Sequence, residues 1–152
     1  MKNIFIVCLI PLIIFGCKKK ISPEEQLEED IKIIEKYIAD NNLSATKTSS
    51  GLHYVITEVG TGNHPTQTDD VTVRYRGYYV DNTTFDQSEE LGVTFNLQQV
   101  IQGWTEGVPK LKEGGSGILL IPSGLAYGEK GSGPVPPNTV LIFEIDLLDI
   151  PG

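Results

Sequence analysis

Between residues 51 and 150 the sequence alternates apolar and polar residues in short runs. The segment GLHYVITEVG places Leu52, Tyr54 and Ile56 on one face of an extended chain, and VTVRYRGYYV repeats this pattern. Three further segments, VTFNL, ILLIP and TVLIFEIDLLDI, have the composition of short strands. A period of two is typical of strands that bury one face. The alternation therefore predicts a domain built on a sheet.

One stretch within this region, between Val100 and Pro109, has helical character. It contains Trp104, the only tryptophan of the chain, with Gly103 before it and Gly107 after it. A short helix packed against an antiparallel sheet gives an α+β domain. Because glycine weakens a helix, the position of the indole needs an explanation. Either it fills a core or it lines a cavity.

Charge and composition argue against several classes of function. The chain of 152 residues has a formal net charge of −8, and its only basic run is Lys18, Lys19 and Lys20, so we expect no nucleic-acid binding. His53 and His64 are far apart and have no neighbouring cysteine, so we expect no metal site. The glycine-rich segments at 114–117 and 131–133 lack the Lys-Ser/Thr ending of a phosphate loop.

Residues 1–16 are predicted to be a lipoprotein signal peptide. Lys2 precedes an apolar run from Ile4 to Phe15, which is short for a bilayer-spanning helix. The run ends in Gly16-Cys17, and a small residue followed by cysteine resembles a bacterial lipobox. This implies cleavage before Cys17 and lipidation of Cys17, whose acyl chains would hold the protein on a membrane. The alternative is an uncleaved anchor with an incidental cysteine.

Residues 17–50 are predicted to be a lipidated tether with a helix over 22–42. Ser22 and Glu25 have the spacing of a capping box, with Pro23 at the first helical position. The apolar residues recur at helical spacing, at Leu27, Ile31, Ile34 and Ile38. This stripe either rests on its own domain or forms the seam of a homodimer. A polar linker is expected over 43–50.

Three separated motifs, in the same order and with the same spacing, resemble the FK506-binding-protein (FKBP) family of peptidyl-prolyl isomerases. They are VRYRGYYVDNTTFDQS, VIQGWTEGVPKLKEGG and IPSGLAYGEKGSGPVPPNTVLIFEIDLLDI. The resemblance implies an isomerase domain over 51–152, in which an antiparallel half-barrel sheet wraps around the short helix. It also implies that Trp104 forms the floor of an apolar pocket, and that Gly103 lets the chain turn sharply into the helix.

The resemblance implies the following residue roles, with no metal and no cofactor. The catalytic residues would be Tyr75, Asp86 and Tyr127. The substrate-binding residues would be Phe85, Phe95, Val100, Ile101, Trp104, Val135 and Phe143. The Tyr127 hydroxyl and the Ile101 N–H would donate to substrate carbonyls, and Asp86 would accept from the Tyr75 hydroxyl. Val93 stands where many members carry a second aromatic residue, which affects substrate preference and the affinity for macrolide inhibitors.

The expected function is a prolyl isomerase that assists the folding of exported or envelope proteins. Its partners would be proline-containing polypeptides, a membrane through the lipid on Cys17, and macrolide inhibitors; its location would be the bacterial cell envelope, facing the periplasm. One alternative is a non-catalytic prolyl-peptide-binding module of an envelope complex such as a gliding-motility apparatus. Another is a holdase chaperone that works through helix 22–42. Since no pocket residue lies in that helix, we expect it to be dispensable for the turnover of short peptides.

Overall fold

The computed structural model describes residues 21–151. The predicted signal peptide, Cys17 and the lysine run lie outside the described residues. The helices and strands follow in the order α1 (Pro23–Asp40), β1 (Thr46–Lys47), β2 (His53–Glu58), β3 (Asp70–Tyr78), β4 (Thr84–Gln87), β5 (Val93–Asn96), α2 (Gln102–Gly107), β6 (Gly115–Ile121) and β7 (Leu141–Asp149). Short 3₁₀ turns lie at Val108–Lys110, Ser123–Leu125 and Gly128–Lys130.

The strands form one antiparallel sheet in the order β1-β2-β6-β7-β3-β4. Strand β7 pairs with β6 along one edge and with β3 along the other. The free edge of β3 is shared, since β5 pairs with Asp70–Val73 and β4 with Arg76–Tyr78. The predicted α+β class, an antiparallel sheet with one short helix and an N-terminal helical extension, is confirmed.

Helix α2 lies on one face of the sheet, and its glycines allow a close approach to β6. A Cβ atom on Gly103 would overlap the side chain of Ile121, and one on Gly107 would lie 2.6 Å from Leu119. The φ of Gly103 is not positive, so this glycine is not required by a sharp turn as the resemblance implied. It is required because the helix packs too tightly on β6 for any side chain.

Helix α1 covers part of the opposite face. Its predicted capping box is present, because the Ser22 hydroxyl accepts from the Glu25 N–H and the Ser22 N–H donates to the Glu25 carboxylate. Ile34 is fully buried in a cluster with Tyr78, Leu120 and Ile142. The apolar stripe therefore rests on its own domain, which was the first of the two alternatives for this helix.

One acidic residue of α1 is also buried. Asp30 has no exposed surface, and one of its carboxylate oxygens accepts from both the N–H and the hydroxyl of Ser123, at 2.7 and 2.6 Å. Its other oxygen accepts from the Gln26 side-chain amide at 2.7 Å. These bonds connect α1 to the 3₁₀ turn at Ser123–Leu125.

Two strands lie where the sequence analysis indicated none. Strand β1 falls inside the predicted linker 43–50 and pairs Thr46 with Tyr54, so the sheet begins before Gly51. Strand β4 covers Thr84–Gln87, a segment that was not among the predicted strands. The domain boundary at residue 51 stays a prediction. Within residues 21–151, none of the helices has the length and apolar character needed to cross a bilayer.

Candidate functional site: an aromatic cavity over α2

A cavity of about 370 Å³ opens beside the N-terminus of α2. Its lining brings together nine of the ten predicted catalytic and substrate-binding residues. They are Tyr75, Phe85, Asp86, Phe95, Val100, Ile101, Trp104, Tyr127 and Phe143. A larger cleft of about 890 Å³ lies between α1 and the segment 122–138, but no aromatic side chain lines it. The smaller cavity is the candidate site, because apolar walls and a few polar groups converge there.

Trp104 forms the floor of the cavity. Its indole is 4% exposed and meets three rings nearly at right angles: Tyr75 at 5.1 Å, Phe143 at 5.3 Å and Phe95 at 5.6 Å between centroids. Such T-shaped pairs are favoured by the ring quadrupoles. The indole thus belongs to the core and lines the cavity at the same time. Its Nε1–H has no hydrogen-bond partner within the described residues.

The cavity wall that contains Phe143 and Phe85 depends on a glycine in β3. Gly77 pairs with Phe143 of β7, and a Cβ on Gly77 would lie 2.7 Å from the Phe143 ring and 2.8 Å from the Phe85 ring. These two rings stand at 88° to each other, 5.6 Å apart. The missing side chain at Gly77 therefore leaves the space in which the aromatic wall packs.

The polar rim consists mainly of two tyrosine hydroxyls and one carboxylate. The predicted hydrogen bond from the Tyr75 hydroxyl to Asp86 is present at 2.8 Å. Burial, reinforced by this bond, raises the pKa of Tyr75 well above its usual range. Burial and the charge of Asp86 also raise the pKa of Tyr127. Both hydroxyls therefore stay neutral and able to donate at physiological pH.

The backbone of Ile101 leads into the helix at the cavity's edge. Ile101 is the N-cap of α2 and has an extended conformation, and its carbonyl accepts from the N–H groups of Trp104 and Thr105 at 2.9 and 3.2 Å. These bonds fix the direction in which the Ile101 peptide faces. A cavity with this floor, these walls and this rim can hold an apolar ring and offer hydrogen-bond donors to the carbonyls beside it.

Comparison with known proteins identifies the family. The FKBP-type peptidyl-prolyl cis-trans isomerase family matches residues 61–148, more than half of the chain. The chain belongs to this family. The probable FKBP-type isomerase FkpA of Neisseria meningitidis is 44% identical over 142 residues, covering 81% of this chain and 52% of that protein. FkpA of Escherichia coli is 36% identical over 146 residues, covering 90% and 53%. This FKBP chain thus spans about half the length of these relatives.

Solved structures show the same architecture. A peptidyl-prolyl isomerase from Pseudomonas syringae superposes with a TM-score of 0.75 at 31% identity, and the match covers 88% of this chain and 98% of that one. FkpA from Escherichia coli gives a TM-score of 0.72 at 36% identity, covering 84% and 63%. Each match thus covers more than four fifths of this FKBP chain.

Two residues of the FKBP site differ from the sequence-based expectation. Val135 was predicted to contact substrate, but it is 5% exposed, packs in the core cluster and does not line the cavity. Its role toward substrate stays a prediction. Gln99 lines the cavity and was not predicted. An exposed amide beside Val100 carries no apolar pattern, so its only signal is its position next to a predicted pocket residue.

Proposed function

We propose that the protein is a peptidyl-prolyl cis-trans isomerase that acts on proline-containing polypeptides. The observation that carries this proposal is the convergence of an apolar cavity, floored by Trp104, with the neutral hydroxyls of Tyr75 and Tyr127 at its rim. Membership of the FKBP-type family supports it. In this proposal the apolar cavity receives the proline ring, and donors at the rim bind the flanking carbonyls.

The chemistry needs no covalent intermediate. Rotation about a peptide bond meets a barrier of ~18–20 kcal/mol because resonance gives the C–N bond partial double-bond character. The planar amide is the more polar form, and the twisted one has lost this resonance. A dry apolar cavity therefore destabilises the planar form relative to the twisted one. Each ~1.4 kcal/mol removed from the barrier gives a tenfold rate.

The cavity residues divide into a slot and a rim. The slot for the proline ring is formed by Trp104, Phe143, Phe95, Val100 and the ring of Tyr75. The Tyr75 hydroxyl belongs to the rim. The Tyr127 hydroxyl and the Ile101 N–H donate to the carbonyls next to it. Asp86 orients Tyr75 through the hydrogen bond at 2.8 Å and takes no proton.

A protease-coupled assay with a prolyl peptide tests the activity. Residues 18–152 should accelerate cis–trans exchange well above the uncatalysed rate. Tyr127→Phe should lower kcat/KM about two- to tenfold, which corresponds to one hydrogen bond. Tyr54→Phe is the control, because Tyr54 lies on β2 and does not line the cavity. Removal of its hydroxyl should leave the rate unchanged. A folded protein that binds the peptide without accelerating exchange would be a binding module instead.

We further propose that the protein is lipid-anchored through Cys17 in the bacterial envelope, faces the periplasm and assists the folding of proteins there. The lipobox-like sequence supports this, and so does a relative named outer membrane protein MIP from Legionella longbeachae, 41% identical over 121 residues, which cover 73% of this chain and 52% of that protein. Cys17→Ala should abolish the incorporation of labelled fatty acid in cells. Cys8→Ala, the only other cysteine of the chain, should leave labelling unchanged. Equal labelling of the two variants would contradict the anchor.

The same cavity is the proposed site for macrolide inhibitors. Trp104 is the only tryptophan and forms the floor, so its fluorescence reports on any ligand that enters. Inhibitor binding should change this fluorescence and compete with the prolyl peptide. Competition without a change at Trp104 would place the inhibitor elsewhere.

A further inference from the structure

The buried carboxylate of Asp30 has no part in the proposed isomerase site, yet it is fully hydrogen-bonded. Its three donors are the Ser123 N–H, the Ser123 hydroxyl and the Gln26 amide, at 2.6 to 2.7 Å. Ser123 itself is 1% exposed. A carboxylate is costly to bury, and bonds to a charged acceptor are stronger than neutral ones. Because removal of one partner would leave a buried polar group without its hydrogen bond, this contact constrains how α1 and the turn at Ser123 lie against each other.

Ser123 is the first residue of a rigid turn. The Leu125 N–H donates to the Pro122 carbonyl at 2.9 Å, and the Ala126 N–H donates to the Ser123 carbonyl at 3.0 Å. Tyr127 follows directly after this turn. Its hydroxyl reaches the cavity although the side chain is 38% exposed and Tyr127 lies outside the sheet.

The other side of the same loop, residues 128–138, is held by backbone hydrogen bonds and by the Tyr79 hydroxyl, which donates to the Pro134 carbonyl at 2.7 Å. The Gly131 N–H donates to the Tyr127 carbonyl at 3.2 Å, and the Asn138 N–H donates to the Gly128 carbonyl at 2.8 Å. Of these attachments, only the one through Ser123 reaches α1, by way of Asp30. Helix α1 is therefore bonded to the turn that precedes Tyr127, although it contributes no residue to the cavity lining.

We propose that Asp30 is a positioning residue for the isomerase reaction, which acts through Ser123 to place the Tyr127 hydroxyl over the cavity. This inference rests on the proposed function and specifies what α1 does for it. It is opposed to the sequence-based expectation that the helix is dispensable for short peptides, which stays a prediction. Substitution of Asp30 should then displace the Tyr127 hydroxyl at the rim and leave the position of Trp104 in the cavity floor unchanged.

A double-mutant cycle separates positioning from general destabilisation. Asp30→Ala should lower kcat/KM for a prolyl peptide by no more than Tyr127→Phe does, about two- to tenfold. In the Tyr127→Phe background, Asp30→Ala should cause no further loss, because contacts that act through one group are not additive. An equal loss in both backgrounds would overturn the proposal.

Conservative and matched variants complete the series. Asp30→Asn keeps one oxygen for Ser123, and the Gln26 amide can turn to accept from the new NH₂, so its activity should stay near that of the wild type. Asp40→Ala is the control, because Asp40 is an exposed carboxylate on the same helix that pairs with Lys36. Its rate should not change. If Asp30→Ala does not fold, Ser123→Ala removes only the hydroxyl bond and should show the same non-additivity.

A readout independent of activity distinguishes failure of this inference from failure of the proposed function. The aromatic NMR signals of Tyr127, assigned by their loss in Tyr127→Phe, should shift in Asp30→Ala and stay in place in Asp40→Ala. Unshifted signals in a folded Asp30→Ala would overturn the positioning role even if the enzyme is active. Shifted signals in a protein without isomerase activity would support the positioning and reject the proposed function.

Discussion

At the scale of single residues, the two rim tyrosines determine how the site responds to pH. The pKa values of Tyr75 and Tyr127 are both raised, chiefly by burial, so their hydroxyls remain protonated beyond the usual value of about 10. We therefore expect kcat/KM to be flat between about pH 6 and 9. Because these pKa values are higher in the folded protein than in the unfolded one, the unfolded tyrosines lose their protons more readily above about pH 10. The free energy of unfolding should therefore decrease as the pH rises above about 10. Rate profiles and thermal unfolding measure the two effects.

Asp86→Asn is the variant that tests the absence of proton transfer. It keeps the size of the side chain and one oxygen that can accept from Tyr75, so we expect a loss of about tenfold, or ~1.4 kcal/mol. An inactive variant, together with a bell-shaped profile centred near neutrality, would mean that Asp86 exchanges a proton with the substrate.

Sequence reasoning found the cavity residues whose chemistry is distinctive, and it missed two residues of ordinary type, Gln99 at the cavity and Asp30 on α1. Trp104 and Asp86 were found because they recur in motifs with fixed spacing. Asp30 was missed because it lies among exposed glutamates such as Glu28 and Glu29, and nothing in its type separates it from them. The available signal was its place on the apolar stripe, three residues after Leu27 and four before Ile34, where an acid has to be buried.

At the scale of the elements, α2 and β6 pack so closely that there is no room for a side chain at the glycines between them. Gly103→Ala should destabilise the protein by about 1–3 kcal/mol, because the added methyl overlaps Ile121. Chemical denaturation measures this loss. Ile121→Ala removes the overlapping atoms, so the double variant should lose less than the sum of the two single losses. Strict additivity would show that Gly103 matters for its backbone and not for space.

Helix α1 offers a matched pair of isoleucines. Ile34 is fully buried, whereas its neighbour Ile33 is 42% exposed. Ile34→Ala should lower the free energy of unfolding by about 2–5 kcal/mol through the cavity it leaves. Ile33→Ala should stay within about 0.5 kcal/mol of the wild type, as surface substitutions do. Similar effects of the two changes in denaturant titrations would mean that α1 does not dock on the sheet as described.

The two strands that sequence reasoning missed share a physical cause. Strand β1 has two residues, both exposed, and β4 has only Phe85 as a partly buried apolar residue among its four. Alternation over so few positions cannot be distinguished from a turn. They are strands because β1 pairs with β2 and β4 pairs with β3. The composition of such short segments does not reveal which strand they will pair with.

At the scale of the whole molecule, the docking of α1 on its own domain occupies part of the apolar stripe that a dimer seam would need. The buried part of the stripe is covered by its own domain, and a stable dimer needs roughly 1,200–2,000 Å² of total buried area. We therefore expect residues 18–152 to sediment as a monomer. A dimer that a folded Ile31→Glu variant no longer forms would restore the alternative of a seam along the stripe of α1, to which the partly buried Ile31 belongs.

The place of β7 in the sheet determines when the protein can fold during its synthesis. This strand pairs with both β3 and β6, which precede it in the chain. A growing chain can form α1 early, but the partners of Ile34 include Leu120 and Ile142, which are synthesised much later. Sheets whose contacts join distant segments form late and slowly. We expect the nascent chain to stay without a stable sheet until β7 has been synthesised.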